Sequence, residues 1–403
     1  MRHPYRWVIL GVGTLAQSSF SAMFVGLPAL APALRSHYRL SLGETGVVLA
    51  AAGVGMVPTL LAWGELADRL GERAVIAIGL IGGGAATAAT AATGTYPTLV
   101  GMLVLAGALG ASVNAASGRA VMSWFDAEER GLALGIRQSA VPIGGAAAAV
   151  ALPWLASAGG TGLAFEALGV TSVVGGVVSA VLLREAPSHE PWAPLDVRAP
   201  LRDTRMWLLA GGSSLYLTAQ VAVISYVVLF LHEHRGLSTH AAAAVLAVTN
   251  VLGIGARIGA GRWSDHVRAR LAPLRLVGVV LSLGMIGTAA LVDAPLAVLV
   301  PALVVAGVVG LTWNGLAFTA AAERAGTARS GAALGFQQTM LGVAGVAITP
   351  AFAVIASTSW RTAFALSALG PVVGVLMLQR VPEPMPRTSA RSPGMSATPP
   401  AAP

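Results

Sequence analysis

The chain has 403 residues, of which 55% are hydrophobic and 10% are charged, whereas about 25% are charged in an ordinary soluble domain. Its mean hydropathy is +0.75, and its 49 glycines would let helices pack closely in lipid. The absence of cysteine excludes disulfides, thiolate metal sites and cysteine nucleophiles. The net charge is +8, but the basic residues lie at the ends of apolar segments. Composition therefore indicates a membrane protein that does not bind nucleic acid.

Twelve apolar segments are each long enough to cross a bilayer as a helix, which takes roughly 20 residues. Their predicted limits are 7–27, 44–64, 74–93, 98–122, 132–155, 162–183, 206–231, 241–261, 274–292, 296–321, 331–355 and 362–378. The connections are short, so we expect an all-α membrane protein without soluble domains.

Two segments differ in composition from the spans. Residues 184–205 contain four prolines and mixed charge, which predicts a cytoplasmic linker between a six-helix bundle at 1–183 and a second at 206–380. Residues 381–403 are rich in Pro, Ser and Ala, which predicts a disordered cytoplasmic tail.

The basic residues predict the orientation. All 25 are arginine, and 19 of them fall on the side of the membrane that carries the N-terminus, against four on the other side and two inside spans. Because positive loops stay inside, both termini should be cytoplasmic. The first apolar run has no convincing cleavage site, so no signal peptide is expected. We predict a multi-pass protein of the bacterial cytoplasmic (inner) membrane.

The two halves repeat each other. Residues 110–114 (GASVN) align with 310–314 (GLTWN), and residues 133–139 (ALGIRQS) align with 333–339 (ALGFQQT), both at an offset of 200. Parallel six-helix repeats are typical of transporters whose substrate site lies between the halves, near the middle of the membrane. The repeat mates Asn114 and Asn314, and likewise Gln138 and Gln338, should face each other across the pseudo-twofold axis.

The densest polar stretch of the first half lies between the second and third spans, at residues 64–73 (GELADRLGER). A weaker copy follows at residues 261–268, where Asp265 takes the place of Asp68. An aspartate near a helix end can accept hydrogen bonds and pair with arginine. Glycine lets the loop turn tightly.

This loop resembles the cytoplasmic loop motif of the major facilitator superfamily, and the resemblance covers essentially the whole chain. It implies the major facilitator fold of two pseudo-symmetric six-helix bundles, and transport by alternating access. It also implies that the loop acts as a conformational latch, formed by Gly64, Asp68, Arg69, Gly71, Arg73 and, in the second half, Asp265. The alternative interpretation is that the loop arginines only set the topology.

The chain departs from the proton-antiport drug exporters of that family at two places. Ala106 stands where those exporters usually carry an arginine in span four. The glycine-proline motif of their fifth span is matched only in part by residues 141–145. Both departures weaken the interpretation as an exporter.

Two arginines, Arg257 and Arg137, fall inside predicted spans. A charge in the bilayer is costly, so such a residue is by default a functional candidate. Residues 256–265 resemble the span-eight pattern of facilitators for oxalate and other small carboxylates, which implies that Arg257 binds an anionic substrate. The alternative for both arginines is snorkelling to the interface or a structural pair.

Uncharged polar side chains also occur in the spans expected to line a central cavity. With the two arginines they form the predicted substrate site: Arg257, Arg137, Gln138, Gln338, Asn114, Asn314, Gln17, Tyr216 and Trp313. The competing interpretation is that these groups join helices by hydrogen bonds.

No carboxylate is placed deep in a span, so the cavity should be electropositive and favour an anion. The predicted function is secondary active transport of a small organic or inorganic anion by a monomer in the lipid bilayer. Coupling could use a proton bound with the substrate (symport), exchange of anions, or neither. Proton-coupled efflux of drugs or hydrophobic metabolites is the alternative, and a receptor or scaffold without transport is a third.

Neither enzyme activity nor a cofactor is expected. Three histidines, His232, His234 and His240, lie around an outer loop. Solvated loop histidines are a better interpretation for them than metal ligands.

Overall fold

The computed structural model describes residues 4–125, 129–185, 202–326 and 330–383. These ranges form helices and short connections, and they contain no β-strand. The predicted linker lies outside the described residues from 186 to 201, and the predicted tail lies outside them from 384 onward. The expectation of an all-α architecture is confirmed.

The membrane-spanning helices are numbered here in chain order. They are span 1 (Arg6–Tyr38), span 2 (Leu42–Leu70), span 3 (Glu72–Ala92), span 4 (Tyr96–Met122), spans 5 and 6 (together Arg130–Leu182), span 7 (Thr204–His234), span 8 (Thr239–His266), span 9 (Leu271–Ala290), span 10 (Leu296–Ala325), span 11 (Ser330–Ala356) and span 12 (Trp360–Gln379).

Spans 5 and 6 form one 53-residue helical stretch with a break at two glycines. A straight helix of that length would be about 80 Å long, whereas the hydrocarbon core is about 30 Å thick. Gly159 and Gly160 have non-helical backbone angles, and Gly160 has a φ of +75°, which favours glycine. Among the described residues, 11 helical stretches are long and apolar enough to cross a membrane. The break at the two glycines divides the longest of them into spans 5 and 6, which is consistent with the predicted twelve spans.

The spans pack as two bundles of six. Spans 1 to 6 contact one another, as do spans 7 to 12, and the halves meet mainly where span 2 packs on span 11 and span 5 packs on span 8. A two-fold axis that exchanges spans 1–6 with spans 7–12 converts the first of these pairs into the second. The packing therefore follows the repeat seen in the sequence.

Three spans of the second half are interrupted, and the shortest break is in span 12, between Trp360–Ser367 and Leu369–Gln379. In span 10 the helix Leu296–Gly310 ends in a turn before the helix Trp313–Ala325 begins. Span 7 contains Thr204–Ser214, Leu217–Ile224, Val227–Leu229 and a π-helical turn at Phe230–His234. In the first half, span 1 passes from the α-helix Arg6–Gly26 through a 3₁₀ turn at Leu27–Leu30 to the helix Ala31–Tyr38, whereas span 4 is the single helix Tyr96–Met122. Interrupted helices leave backbone groups that need hydrogen-bond partners from elsewhere in the protein.

The protein has two ends along the direction of its spans. The latch face is the end that carries the loops with Asp68 and Asp265, and the opposite face carries Arg35 and Glu233. At the opposite face an ion pair joins Arg35 of span 1 to Glu233 of span 7, and thus joins the two halves. Nearby, a Cβ on Gly46 would lie 2.6 Å from the Cβ of Ala353. The two halves are closely packed there.

The spans that join the halves are less tightly packed at the latch face. The glycines Gly64, Gly135, Gly261 and Gly335 lie in the latch-face parts of the four spans that join the halves, and a Cβ added to any of them would meet no atom within 4 Å. The halves are therefore tightly packed at the opposite face, and these four positions leave room for side chains at the latch face.

Spans 2 and 4 pack with their backbones in direct contact. A Cβ on Gly107 would lie 1.9 Å from the carbonyl oxygen of Ala52, and a Cβ on Gly55 would lie 1.9 Å from that of Val104. Only glycine permits this approach, which is how helices gain contact in lipid.

The Gly107→Ala substitution should destabilise the first half, because the added methyl group overlaps backbone that cannot rotate away. Overpacking of this kind costs about 1–3 kcal/mol, so thermal unfolding in detergent should begin several degrees lower. Gly101→Ala on the same span is the control, because its Cβ would meet no atom within 4 Å. Equal unfolding temperatures for the two variants would contradict this account of the packing.

Candidate substrate site between the two halves

Arg137 is held inside the first half by neutral partners. Its Nη1 donates hydrogen bonds to Gln17 Oε1 and Ser117 Oγ, both at 2.9 Å, and its Nη2 donates to Gln138 Oε1 at 3.1 Å. Its Nε is buried and has no partner in the described part of the chain. Spans 1, 4 and 5 thus meet around one guanidinium group.

The same polar cluster continues to Asn114. Gln17 Nε2 donates to Asn114 Oδ1 at 3.1 Å, and Asn114 Nδ2 lies 3.4 Å from the sulfur of Met56. The predicted residues Gln17, Asn114, Arg137 and Gln138 are therefore in contact with one another.

Arg257 lies where the two halves meet. Its Nε donates to the carbonyl oxygen of Leu311 at 3.1 Å, and that carbonyl is available because span 10 is interrupted there. Its Nη1 lies 3.4 Å from the carbonyl oxygen of Gln138, which belongs to the first half. Gln138 consequently contacts both arginines, Arg137 through its side chain and Arg257 through its backbone.

A second amide cluster lies beside the interruption in span 10. The Oε1 atom of Gln220 accepts hydrogen bonds from Trp313 Nε1 at 3.0 Å and from Asn314 Nδ2 at 3.3 Å. This contact repeats that of Gln17 with Asn114, since each joins the first and fourth span of a half. Gln220 is not among the predicted binding residues, although a glutamine within an apolar span is a signal that was available from the sequence.

The remaining predicted residues have different surroundings. Tyr216 is fully buried within the second half, where its hydroxyl donates to the carbonyl oxygen of Leu274 at 3.1 Å and its ring lies edge-on to Trp313. Gln338 is half-buried on span 11, and no described residue hydrogen-bonds to its amide. The repeat mates Asn114 and Asn314 each bond to the first span of their own half.

The charge of the two arginines is not neutralised by acidic side chains. Among the described residues, neither Arg137 nor Arg257 forms an ion pair, and both are bound by amide, hydroxyl and carbonyl oxygens. A buried charge without a counter-charge costs on the order of several kcal/mol. The site therefore has two positive charges and attracts anions.

The residues predicted to form the latch lie toward the ends of spans 2 and 8, in the turn after span 2 and in the first turn of span 3. Arg119, at the end of span 4, pairs with Asp68 and with Glu72, the latter at 3.0 Å. In the second half the arrangement is inverted, because Arg270 lies in the loop and pairs with Asp265 at 2.5 Å and Glu323 of span 10 at 2.9 Å. Each half thus connects its polar loop to its own fourth span.

The other residues of the first loop shape its turn. Gly71 has a φ of +83°, and a Cβ there would lie 2.4 Å from a carboxylate oxygen of Glu185. Arg73 Nε donates to the carbonyl oxygen of Ala180 at 2.6 Å, which ties the loop to span 6. Arg69 is exposed, and Gly64 is half-buried.

The histidines predicted to be solvated lie at the opposite face. His232 Nδ1 is 2.7 Å from the carbonyl oxygen of Leu237, and His234 Nε2 is 3.5 Å from Asp293 Oδ1. Arg361 donates a hydrogen bond to Asp293 at 2.7 Å, and this bond lowers the pKa of the aspartate below its ordinary value. Within the described ranges, no group of three or more acidic or histidine side chains is arranged to hold a metal.

Two six-helix halves with a polar site where they meet are the architecture of a membrane transporter built from two repeats. The chain matches the model of the Major Facilitator Superfamily over residues 13–350, and it belongs to that family. The predicted family and fold class are confirmed.

Two transporters are similar to this chain in sequence. An uncharacterized MFS-type transporter of Mycobacterium tuberculosis is 32% identical over 374 residues, which cover 92% of this chain and 84% of that protein. A probable sulfoacetate transporter of Cupriavidus necator is 25% identical over 303 residues, which cover 70% of each chain.

Solved structures share the fold. A D-xylose-proton symporter aligns with a TM-score of 0.76 at 16% identity, covering 94% of this chain and 98% of that one. A bacterial homolog of the human lysosomal transporter Spinster aligns with a TM-score of 0.75 at 16% identity, covering 94% and 96%.

Replacing Arg119 by leucine should destabilise the latch-face end of the first half. Asp68 and Glu72 would then lie close together without the cation they share, and removing one member of a partly buried ion-pair network is costly. We expect thermal unfolding several degrees below wild type. The control is Arg69→Leu, which removes an exposed arginine of the same loop and should leave the unfolding temperature nearly unchanged. A larger effect at Arg69 than at Arg119 would refute this assignment.

Proposed function

We propose that the protein transports a small organic or inorganic anion by alternating access, with Arg257 as the main substrate-binding residue. The observation that carries the proposal is that two half-buried guanidinium groups, one from each half, contact the same residue, Gln138, and have only neutral partners among the described residues. An anion would supply the missing negative charge. Arginine suits this role because it binds carboxylate and sulfonate groups through charge-assisted hydrogen bonds.

The position of Arg257 links binding to movement of the halves. Its Nη1 bond to the Gln138 carbonyl is long, at 3.4 Å. An anionic oxygen is a stronger acceptor than a backbone carbonyl, so a substrate would displace this contact. Binding would thereby change a contact between the halves, which is what alternating access requires.

The relative from Cupriavidus necator supports the class of substrate. Its name describes a probable transporter of sulfoacetate, a small organic anion. The similarity extends over 70% of this chain at 25% identity, so it favours a small anion without naming which one.

We further propose that the latch face is cytoplasmic and that the protein acts as a monomer in the bacterial inner membrane. The arginine distribution supports this orientation. In that orientation the less tightly packed ends of the spans that join the halves face the cytoplasm, and the Arg35–Glu233 pair lies at the external face. Since no described carboxylate lies beside the two arginines, a coupling proton would travel with the substrate.

The Arg257→Gln variant tests the proposal. Wild-type protein in detergent should be stabilised against heat by at least one of acetate, malonate, oxalate, sulfoacetate, nitrate and cyanate. In Arg257→Gln the apparent affinity for that anion should fall by at least about tenfold, because a charge-assisted hydrogen bond is lost.

Arg262→Gln is the matched control, because it removes an exposed arginine from the same helix and should retain anion binding. Undiminished binding by Arg257→Gln would refute the role of Arg257. If no anion stabilises the wild type while overexpression confers drug resistance, the protein is an exporter of drugs or hydrophobic metabolites instead.

Orientation can be tested by labelling, because the chain has no native cysteine. Gly94 lies in the exposed connection between spans 3 and 4, and Ser123 is exposed at the latch face after span 4. In intact cells a membrane-impermeant maleimide should label the Gly94→Cys variant and should label Ser123→Cys only after permeabilisation. The reverse pattern would show that the latch face is external.

A further inference from the structure

The interruption of span 10 places two kinds of polar group beside each other. Leu311 and Thr312 form the turn between the two helices of this span. Arg257 binds the carbonyl oxygen of Leu311, and Gln220 binds the side chains of Trp313 and Asn314. Gln220 also packs against Gly310, the residue before Leu311, because a Cβ on Gly310 would lie 3.6 Å from the Cα of Gln220. Arg257 and Gln220 therefore contact the same turn of span 10.

The orientation of the Gln220 amide follows from its neighbours. The indole nitrogen of Trp313 can only donate a hydrogen bond, so the Gln220 atom that faces it must be the oxygen. The same oxygen accepts a second bond from Asn314. The NH₂ group of Gln220 therefore points away from Trp313 and Asn314, and its two N–H donors take no part in these hydrogen bonds.

Those donors face a space inside the protein. No described residue accepts a hydrogen bond from Gln220 Nε2, and this atom is not among the fully buried polar atoms without a partner. It is therefore accessible. From residue 208 to residue 232 span 7 has no exposed residue, so it is surrounded by protein rather than by lipid. The accessible nitrogen therefore opens onto space within the protein, next to the turn of span 10 that Arg257 also contacts.

The amide is also held in place before any ligand binds. Trp313 is fully buried, and the ring of Tyr216 packs edge-on against it with the ring centroids 5.8 Å apart. The hydroxyl of Tyr216 is itself fixed by the carbonyl oxygen of Leu274. A donor whose direction is fixed in this way loses little conformational entropy on binding a ligand.

We propose that Gln220 determines substrate specificity by donating hydrogen bonds to a second oxygen of an anion whose acidic group is bound by Arg257. The inference rests on the proposed function and narrows it. The substrate is a short organic acid with a second acceptor oxygen, in a hydroxyl, carbonyl or second acidic group. Anions without such an oxygen bind more weakly, because they leave the NH₂ group of Gln220 without an acceptor.

Matched pairs of ligands test the inference: acetate against glycolate, and methanesulfonate against sulfoacetate. The apparent affinities are measured by thermal stabilisation of the full-length protein. The wild type should bind the second member of at least one pair about tenfold more tightly, which is the contribution expected of a hydrogen bond in a dry site. The Gln220→Met variant has a side chain of similar size without the donors. In this variant the ratio of the two affinities within a pair should fall close to one, while the affinity for the simpler anion should change little.

Ser282→Ala is the control for general destabilisation. The Ser282 hydroxyl is buried in the second half and donates to the carbonyl oxygen of Ala368. This variant should unfold at a lower temperature and keep the preference of the wild type.

The outcomes separate this inference from the proposal on which it rests. If no anion stabilises the wild type, the proposed function fails. If anions bind but the wild type does not distinguish within either pair, or if Gln220→Met weakens both members equally, the role of Gln220 is refuted. Should Gln220→Met fail to fold, Gln220→Glu gives the same test, since it keeps the acceptor for Trp313 and Asn314 but replaces the donors with a carboxylate. Its preference for sulfoacetate should be lost, and a retained preference would overturn the inference.

Discussion

Hydrocarbon supplies no hydrogen-bond partners, so polar groups within the spans need partners in the protein or in an internal water-filled space. The structure meets this constraint by gathering its polar side chains into a few contacts between helices. Gln17 with Asn114 and Gln220 with Asn314 are the clearest examples, because the same pair of residue types joins the first and fourth span in both halves. The contacts that hold each bundle together thus also place amides beside the space between the bundles.

The repeat is broken at the residues that carry charge. Arg137 and Gln337 are repeat mates, and both point into their own half, where Arg137 bonds to Ser117 and Gln337 bonds to Ser213. The second cation, Arg257, comes from span 8 and reaches across to the first half. The two arginines therefore have different environments, although the sequence suggests equivalent roles. Arg257 is the one that contacts both halves.

The polar loops of the two halves are joined to the fourth span of their own half by ion pairs, but the residues that form these pairs differ. In the first half the arginine lies on span 4 and the acids lie around the loop, whereas in the second half the arginine lies in the loop and one acid lies on span 10. Both arrangements stabilise the end of one bundle. At the latch face the ion pairs among the described residues stay within a half, and at the opposite face Arg35 and Glu233 join the halves.

The sequence by itself determined the twelve spans, the repeat and the family, because hydropathy, arginine placement and the loop motif are local properties of the chain. It also identified Arg137 and Arg257, since a charge within an apolar segment is visible without a structure. It did not identify Arg119 as the partner of Asp68, or Gln220 as the acceptor for Trp313 and Asn314. Those assignments depend on which helices lie side by side, which only the tertiary structure decides. The interruption of span 10 is of the same kind, because its free carbonyl is tolerated only where Arg257 from another helix can reach it.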